Sequence, residues 1–368
     1  MSQSPYESSL QDELSIVRQE IDQIDATLLQ LLNQRAACAQ AVGAIKARHG
    51  DAGFVYRPER EAQVLRRLQE LNAGPLSNES ISRLFREVMS ACLALEHPLS
   101  ITFLGPLGSF TGSAAIKHFG HAAGLMPQAS IDEVFREVEA GHADYAVAPV
   151  ENSTEGAVGR TMDLLLNTPL KVCGEVVLRI HQHLLTQVLA LSEIKTVYSH
   201  AQSLAQCHEW LNRNLPGVPR ISVASNSLAA QMAAAEPGAA AIAGEAAAER
   251  FSLPCLAECI EDEPNNTTRF VVLGSQDAGP SGKDKTSLIM SAPNRAGALH
   301  YLLAPLADSG VSMTRLESRP ARHTLWEYVY FVDIDGHRSE PKVQAALAEL
   351  AQRAPYLKVL GSYPIAVF

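Results

Sequence analysis

Leu99-Ser-Ile-Thr-Phe-Leu-Gly105-Pro-Leu-Gly-Ser-Phe-Thr111 reads as a short apolar strand that breaks through Gly and Pro into the start of a helix. Such a junction presents unpaired backbone N–H groups and the positive end of a helix dipole to an anion. One junction of this kind is usually only a turn, and this one lacks the Lys-Ser/Thr ending of a phosphate loop. Similar junctions recur, however. Tyr145-Ala-Val-Ala-Pro149 runs into Val150-Glu-Asn-Ser-Thr-Glu-Gly156, and Thr196-Val-Tyr198 runs into Ser199-His-Ala-Gln-Ser203 with Gln206 beyond it. Thr267-Thr-Arg-Phe270 opens a strand that ends at Leu273. Short apolar runs alternating with helical stretches from Leu99 to about Ser275 are the α/β signature. Ligands of open α/β sheets lie beyond the carboxyl ends of strands, so these loops are expected to converge on one crevice. A chain crossing near Val177-Leu178 and a return near Leu256-Ala257 make that crevice a cleft between two lobes.

Upstream, residues 12–97 are helical in period, broken at Asn72-Ala-Gly-Pro75 and closed by His97-Pro98. Leu14, Val17, Ile21, Ile24, Leu28 and Leu31, then Cys38, Val42 and Ile45, recur in steps of three and four, a long heptad seam. Arg35 occupies one seam position and must find an anion there, either an intramolecular carboxylate or a ligand. Lys46 stands eleven residues on, on the same face and about 16 Å away. Arg18 is about 25 Å from Arg35 along the axis, too far to share a ligand within one helix. An antiparallel second copy would bring it in, so the helix points to a dimer with composite sites. Downstream, Ser275–Lys283 reads as a polar linker. The remainder reads strand Ser287–Ser291, helix Gly297–Ser309, strand Val311–Ser318, strand Trp326–Asp333, helix Glu340–Arg353 and strand Leu357–Tyr363, the ferredoxin-like β-α-β-β-α-β order.

The 368 residues exceed one ordinary domain, and 46% hydrophobic with 19% charged residues is the composition of a globular protein. A net charge of −10 without a Lys/Arg run argues against nucleic acid and anionic membranes as partners. The polar, acidic start at Met1–Leu14 is not a signal peptide, and six scattered cysteines read as reduced thiols, so a cytoplasmic location is expected. His181-Gln-His183 places two imidazoles on one strand face without an evident third ligand. Cys255-Leu-Ala-Glu-Cys259 has no second pair. No metal and no cofactor are therefore expected.

The segment Leu14–Glu96 resembles the all-helical chorismate mutase domain that heads bifunctional chorismate mutase/prephenate dehydratases. Arg18, Asp25, Leu28–Arg35, Val42–Lys46 and Arg60-Glu61 carry the likeness. It implies that Arg18, Arg35 and Arg60 hold the two substrate carboxylates, that Lys46 addresses the ether oxygen, and that Glu61 addresses the ring hydroxyl. Cys92 and Glu96 stand where the enteric form is expected to have serine and glutamine. A carboxyl group donates a hydrogen bond only when protonated, whereas an amide donates at any pH. Gly105–Thr111, Pro149–Ser153, Ser199-His200 with Gln206, and Thr267–Val271 together resemble the prephenate dehydratase signature. That likeness implies a periplasmic-binding-protein-like pair of lobes. It ties Glu151, Asn152, Gln206 and Thr268 to turnover, and Ser109, Ser199, His200 and Arg269 to substrate. The proton donor to the departing ring hydroxyl stays open between Thr268 and Glu151. Residues 286–368 resemble an ACT domain through Gly297-Ala298-Leu299 and Glu317-Ser318-Arg319-Pro320, which implies allosteric phenylalanine at a paired interface. The expected domains are 1–97, 98–276 and 284–368, in a homodimer or higher oligomer acting on chorismate and prephenate.

Overall fold

The computed structural model describes residues 5–49, 56–293, 295–320 and 328–367. Its first element, α1 (Pro5–Arg48), is an unbroken helix of 44 residues, roughly 66 Å long. Leu14, Val17, Ile21, Ile24, Leu28 and Leu31 are all exposed along it. An apolar seam left in water is unfavourable by about 25 cal/mol per Å². α2 (Pro58–Leu71) begins on a proline with Glu59 and Glu61 in its first turn, where the missing N–H costs nothing and the dipole favours acids. α3 (Asn78–Ala94) is capped by the Ser77 hydroxyl, which accepts from Ser80 N at 3.1 Å.

The first lobe runs β1 (Ser100–Leu104), α4 (Phe110–Phe119), β2 (Gly124–Gln128), α5 (Ile131–Glu139), β3 (Tyr145–Asn152), β4 (Gly156–Ala157), α6 (Gly159–Asn167) and β5 (Lys171–Arg179). The second runs β6 (His183–Thr186), β7 (Thr196–Ser199), α7 (Ala201–Gln206), α8 (His208–Asn214), β8 (Arg220–Ser222), α9 (Asn226–Ala235), β9 (Ala239–Ala243), α10 (Glu245–Phe251) and β10 (Cys255–Ala257). β11 (Thr267–Gly274) then returns to the first lobe, giving strand orders β2-β1-β3-β11-β5 and β10-β6-β9-β7-β8. The crossings fall a few residues later than the sequence reading put them. Val177-Leu178 lies inside β5 and Leu256-Ala257 inside β10, so the connecting segments are 180–182 and 258–266.

The C-terminal domain comprises β12 (Asp284–Ala292), α11 (Ala298–Asp308), β13 (Met313–Pro320), β14 (Tyr328–Asp335), α12 (Pro341–Arg353) and β15 (Leu357–Pro364). Its sheet order β13-β14-β12-β15 is that of the ferredoxin-like unit. The expected start of β14, Trp326, lies outside the described residues. Leu302, Leu306, Val343 and Leu350 cover one sheet face. Ile289, Phe331, Leu360 and Tyr363 of the other face share a core with Phe135, Met162 and Val271 of the first lobe. The approach is so close that a Cβ on Gly361 would stand 2.0 Å from Val172 O, and only glycine fits there.

Ser275–Lys283 is no free linker. Gln276 donates to Tyr56 O and Tyr145 Oη, Ala278 O meets His337, and Arg66 of α2 donates to Ser281 and Lys283. These bonds satisfy the strap's polar groups and bury Gln276, Ala278 and Ser281. The segment after β15 does the same work from the other side. Ile365 O accepts from Arg66, Val367 O from Arg86, and Ala366 N donates to Glu175.

Tyr56, His118, Phe119 and Tyr145 form an aromatic cluster where the helical head meets the first lobe. Burial, with Arg86 nearby, lowers the pKa of His118 to about 3, and its Nε2 lies 2.9 Å from Tyr56 Oη. The folded protein keeps this ring neutral, whereas the unfolded chain protonates it below about pH 6.5. Stability is therefore expected to fall as pH drops from about 6.5 toward 3, with a slope approaching ~1.4 kcal/mol per pH unit from this group. Urea unfolding across that range should show the slope in the wild type and its loss in His118→Gln.

No helix of the described residues is long and apolar enough to cross a membrane.

Candidate functional site

In the head, Lys46 Nζ lies 3.3 Å from Glu96 Oε1, with both side chains largely buried. Glu96 reaches Lys46 because Gly43 leaves room: a Cβ there would stand 2.8 Å from Glu96 Cγ. Cys92, one turn earlier on α3, is buried. Arg35 is half-buried on α1, and Arg18 and Arg60 are exposed. Glu61 is placed elsewhere. It pairs with Arg86 at 3.3 Å and lines a small open cavity of ≈ 40 Å³ between head, first lobe and C-terminal segment, with Lys117, His118 and Glu175. Burial raises the Glu61 pKa, and Arg86 pulls it back down. One chain thus brings Lys46 and Glu96 together without joining Glu61 to them.

Between the lobes, the β3–β11 ladder sets Thr268 opposite Asn152 and Arg269 opposite Glu151. Successive strand residues point to opposite faces, and the two pairs separate accordingly. Asn152 Nδ2 donates to Thr268 Oγ1 at 2.9 Å and to Asn266 Oδ1 at 2.7 Å, and its Oδ1 accepts from Thr154 and Glu155. From the second lobe Gln206 Nε2 donates to Glu155 Oε1 at 3.2 Å, and Gln206 Oε1 accepts from Gln182. The lobes also meet where the Ser227 hydroxyl donates to Leu107 O and where Phe110 packs on Gly244. Ser109 caps α4, accepting from Gly112 N and donating to Leu104 O. Ser199 is fully buried, its hydroxyl in contact with Ile242 O and Asn226 Oδ1, and His200 caps α7.

Two atoms here stand out because buried polar groups are normally paired. Asn266 Nδ2 and Gln182 Oε1 are buried without a hydrogen-bond partner, and both belong to the Asn152–Gln206 network. The sequence alone does not single them out: histidines flank Gln182, and Asn266 carries no motif of its own.

Glu151 and Arg269 face the C-terminal domain. Arg269 lies 2.8 Å from Asp333, 3.4 Å from Glu175 and 3.6 Å from Glu151, and Arg315 lies 2.9 Å from Glu151. Lys285 completes the group at 2.8 Å from Glu175. Burial works against the Arg269 charge, yet Asp333, Tyr363, Glu175 and Glu151 together raise its pKa. Arg269, expected at the substrate carboxylate, and Glu151, expected at turnover, thus sit in a cluster of three acids and three bases that is largely buried apart from Glu151.

In the C-terminal domain, Gly297, Ala298 and Leu299 line an open hollow of ≈ 220 Å³ with Arg295, Tyr328 and Tyr330. Gly297 takes φ +75°, a conformation that glycine adopts at little cost, at the start of α11. Glu317, Ser318 and Arg319 do not line it. They lie on edge strand β13, where Arg319 pairs with Asp163 of the first lobe at 3.3 Å.

Comparison with known proteins agrees with this layout. Residues 17–97 match the chorismate mutase type II family, 101–278 prephenate dehydratase, and 286–352 the ACT domain. The bifunctional chorismate mutase/prephenate dehydratase of Neisseria gonorrhoeae is 59% identical, over 97% of this chain and 98% of its own. That of Pseudomonas aeruginosa is 52% identical, over 97% and 99%. The crystal structure of prephenate dehydratase from Arthrobacter aurescens in complex with L-Phe superposes with TM-score 0.66 at 34% identity, over 72% of this chain and 90% of that one. With identity of this depth over nearly its whole length, the chain belongs to the bifunctional chorismate mutase/prephenate dehydratase family.

Proposed function

We propose that this chain performs two consecutive reactions in the cytoplasm, chorismate to prephenate in residues 1–97 and prephenate to phenylpyruvate in residues 98–276, with phenylalanine binding to residues 284–368 as feedback inhibitor. The observation that carries the reading is the convergence of Asn152, Thr268 and Gln206 between the lobes, beside the unpartnered amide atoms of Asn266 and Gln182. Prephenate loses carbon dioxide and its ring hydroxyl; the hydroxyl must leave with a proton and depart as water. The Thr268 hydroxyl accepts from Asn152, which orients its own proton elsewhere, toward that leaving group. The unpaired Asn266 Nδ2 donates to a substrate oxygen, and the unpaired Gln182 Oε1 accepts from a substrate hydroxyl. Glu151 and Arg269, bound to the ACT domain, act as connectors between sensor and site.

The mutase reaction is a pericyclic rearrangement and needs only a folded conformer and positive charge where the ether oxygen gains electrons. Lys46 supplies the charge, and Glu96, 3.3 Å away, holds it in place. Glu96→Gln replaces that acceptor with an amide that can also donate a hydrogen bond, so the mutase kcat is expected to change severalfold, and an unchanged kcat would count against a place for Glu96 beside the ether oxygen.

The exposed seam of α1 supports a homodimer or higher oligomer in which Arg18 of one copy completes the site of another. Exposed edge strand β13 supports a second contact that brings Glu317, Ser318 and Arg319 of one copy to the Gly297 hollow of the next. An absorbance time course with chorismate, with and without phenylalanine and over a dilution series, tests the whole reading. Phenylpyruvate should appear, phenylalanine should slow its appearance, and dilution should depress the mutase step. Consumption of chorismate that stops at prephenate would confine catalysis to the head.

A further inference from the structure

The two chain crossings between the lobes carry a cluster that the proposed activities do not use. His181 lies on the outward crossing, and Cys259 and Glu261 lie on the return. His181 Nδ1 is 2.9 Å from Glu261 Oε1 and 3.5 Å from Cys259 Sγ, and all three donor atoms fall within 4.8 Å of one another. Considered along the sequence, the histidine pair and the cysteine pair each fell short of a ligand set. The fold merges them by laying the second crossing beside the first.

We propose that His181, Cys259 and Glu261 form a binding site for a borderline divalent cation of the zinc type, joining the two segments that connect the lobes of the dehydratase. One imidazole, one thiolate and one carboxylate form a donor set that zinc accepts, with a fourth position left for water. Ligands at about 2.0 to 2.3 Å in tetrahedral array stand roughly 3.3 to 3.6 Å apart. The nitrogen–sulfur pair already has that separation, and the nitrogen–oxygen pair needs to open by a few tenths of an ångström.

The supports of the ligands are in place. Glu261 is almost wholly buried, its Oε2 accepting from Gln182 N at 2.9 Å while Oε1 faces the imidazole. A bound second oxygen of this kind fixes a ligating carboxylate. Cys259 adopts φ +50°, uncommon for a non-glycine residue, and its N–H donates to His183 Nδ1 at 3.3 Å. That backbone conformation is held where the sulfur meets His181, the setting in which local strain marks a functional position. Binding would release the Cys259 thiol proton to solvent and put the His181 proton on Nε2, with no change of oxidation state.

The consequence is mechanical. Gln182 lies between the ligands in sequence and bonds Ser203 and Gln206 of the second lobe. A cation clamping His181 to Cys259 and Glu261 fixes this segment and resists lobe movement.

Cobalt(II) alone, titrated into the full-length, chelator-treated and phosphine-reduced protein, tests the site. One equivalent should give a thiolate-to-cobalt near-ultraviolet band and the visible bands of four-coordinate cobalt, both bleached by zinc. His181→Ala and Cys259→Ser, confirmed folded by circular dichroism, should lose them, and Cys255→Ser should keep them. Zinc should also slow phenylpyruvate formation several-fold in the wild type and leave Cys259→Ser unaffected. The spectrum stands whether or not the assigned reactions are correct. No band at one equivalent, or a band that survives Cys259→Ser, would overturn the site, and an unchanged rate at saturating zinc would overturn the hinge clamp.

Discussion

Thr268→Val is expected to lower the dehydratase kcat about a hundredfold or more, the lower end of what a positioned proton donor contributes, while leaving chorismate mutase turnover intact. Valine keeps the volume and the branched shape that suit a strand, so the fold is undisturbed and the loss reads the hydroxyl alone. Asn152 donates to that hydroxyl and is itself fixed by Asn266, Thr154 and Glu155. The proton of Thr268 is therefore kept off Asn152 and available to the substrate, and a donor held in place in this way lowers a barrier. Thr268→Ser should recover much of the rate, since the donor returns although the methyl group that restricts it does not. Steady-state kinetics with prephenate decide the matter. A kcat within threefold of wild type in the valine variant would remove Thr268 from the proton-transfer step.

Arg269→Met is expected to destabilise the protein by about 3–5 kcal/mol, the range for breaking a buried ion pair by removing one partner. The guanidinium is 14% exposed and lies among Asp333, Glu175 and Glu151. Its removal leaves three carboxylates against Lys285 and Arg315, so one charge is uncompensated in a low-dielectric setting. The double variant Arg269→Met, Asp333→Leu restores the balance and should recover part of the loss in a urea-denaturation cycle. The same substitution discriminates between two roles. A group holding the substrate carboxylate would, when lost, raise KM steeply. A group joining β11 to the ACT sheet would weaken phenylalanine inhibition with a smaller change in KM, and that is the expected outcome.

Much of this arrangement is legible in the chain itself. The three-and-four seam yields α1, and the alternation after Lys283 yields every element of the C-terminal sheet to within a few residues, because those signals are local and strongly periodic. What escaped is tertiary. Ser275–Lys283 has the composition of a linker, and nothing local says that Arg66, Tyr56 and His337 will satisfy its polar groups. The opposition of Glu151 to Asn152 and of Arg269 to Thr268 was present in the sequence as adjacent strand positions. A motif taken as a block hides that alternation. Gln182, Asn266 and Glu261 belong to no recognised pattern and become conspicuous only when burial and missing partners are known.

The Ser275–Lys283 strap and the segment Pro364–Val367 bear on how freely such a chain can be recombined. Arg66 and Arg86 of the head bond backbone carbonyls on these two segments, and backbone acceptors are indifferent to side-chain identity but not to path. A chimera that grafts this head onto a foreign dehydratase would preserve each core and still lose the seats of both arginines, leaving them facing an apolar gap. Exchange among these modules is therefore governed by the course of two short irregular segments, and a graft should carry both along with the helices they serve.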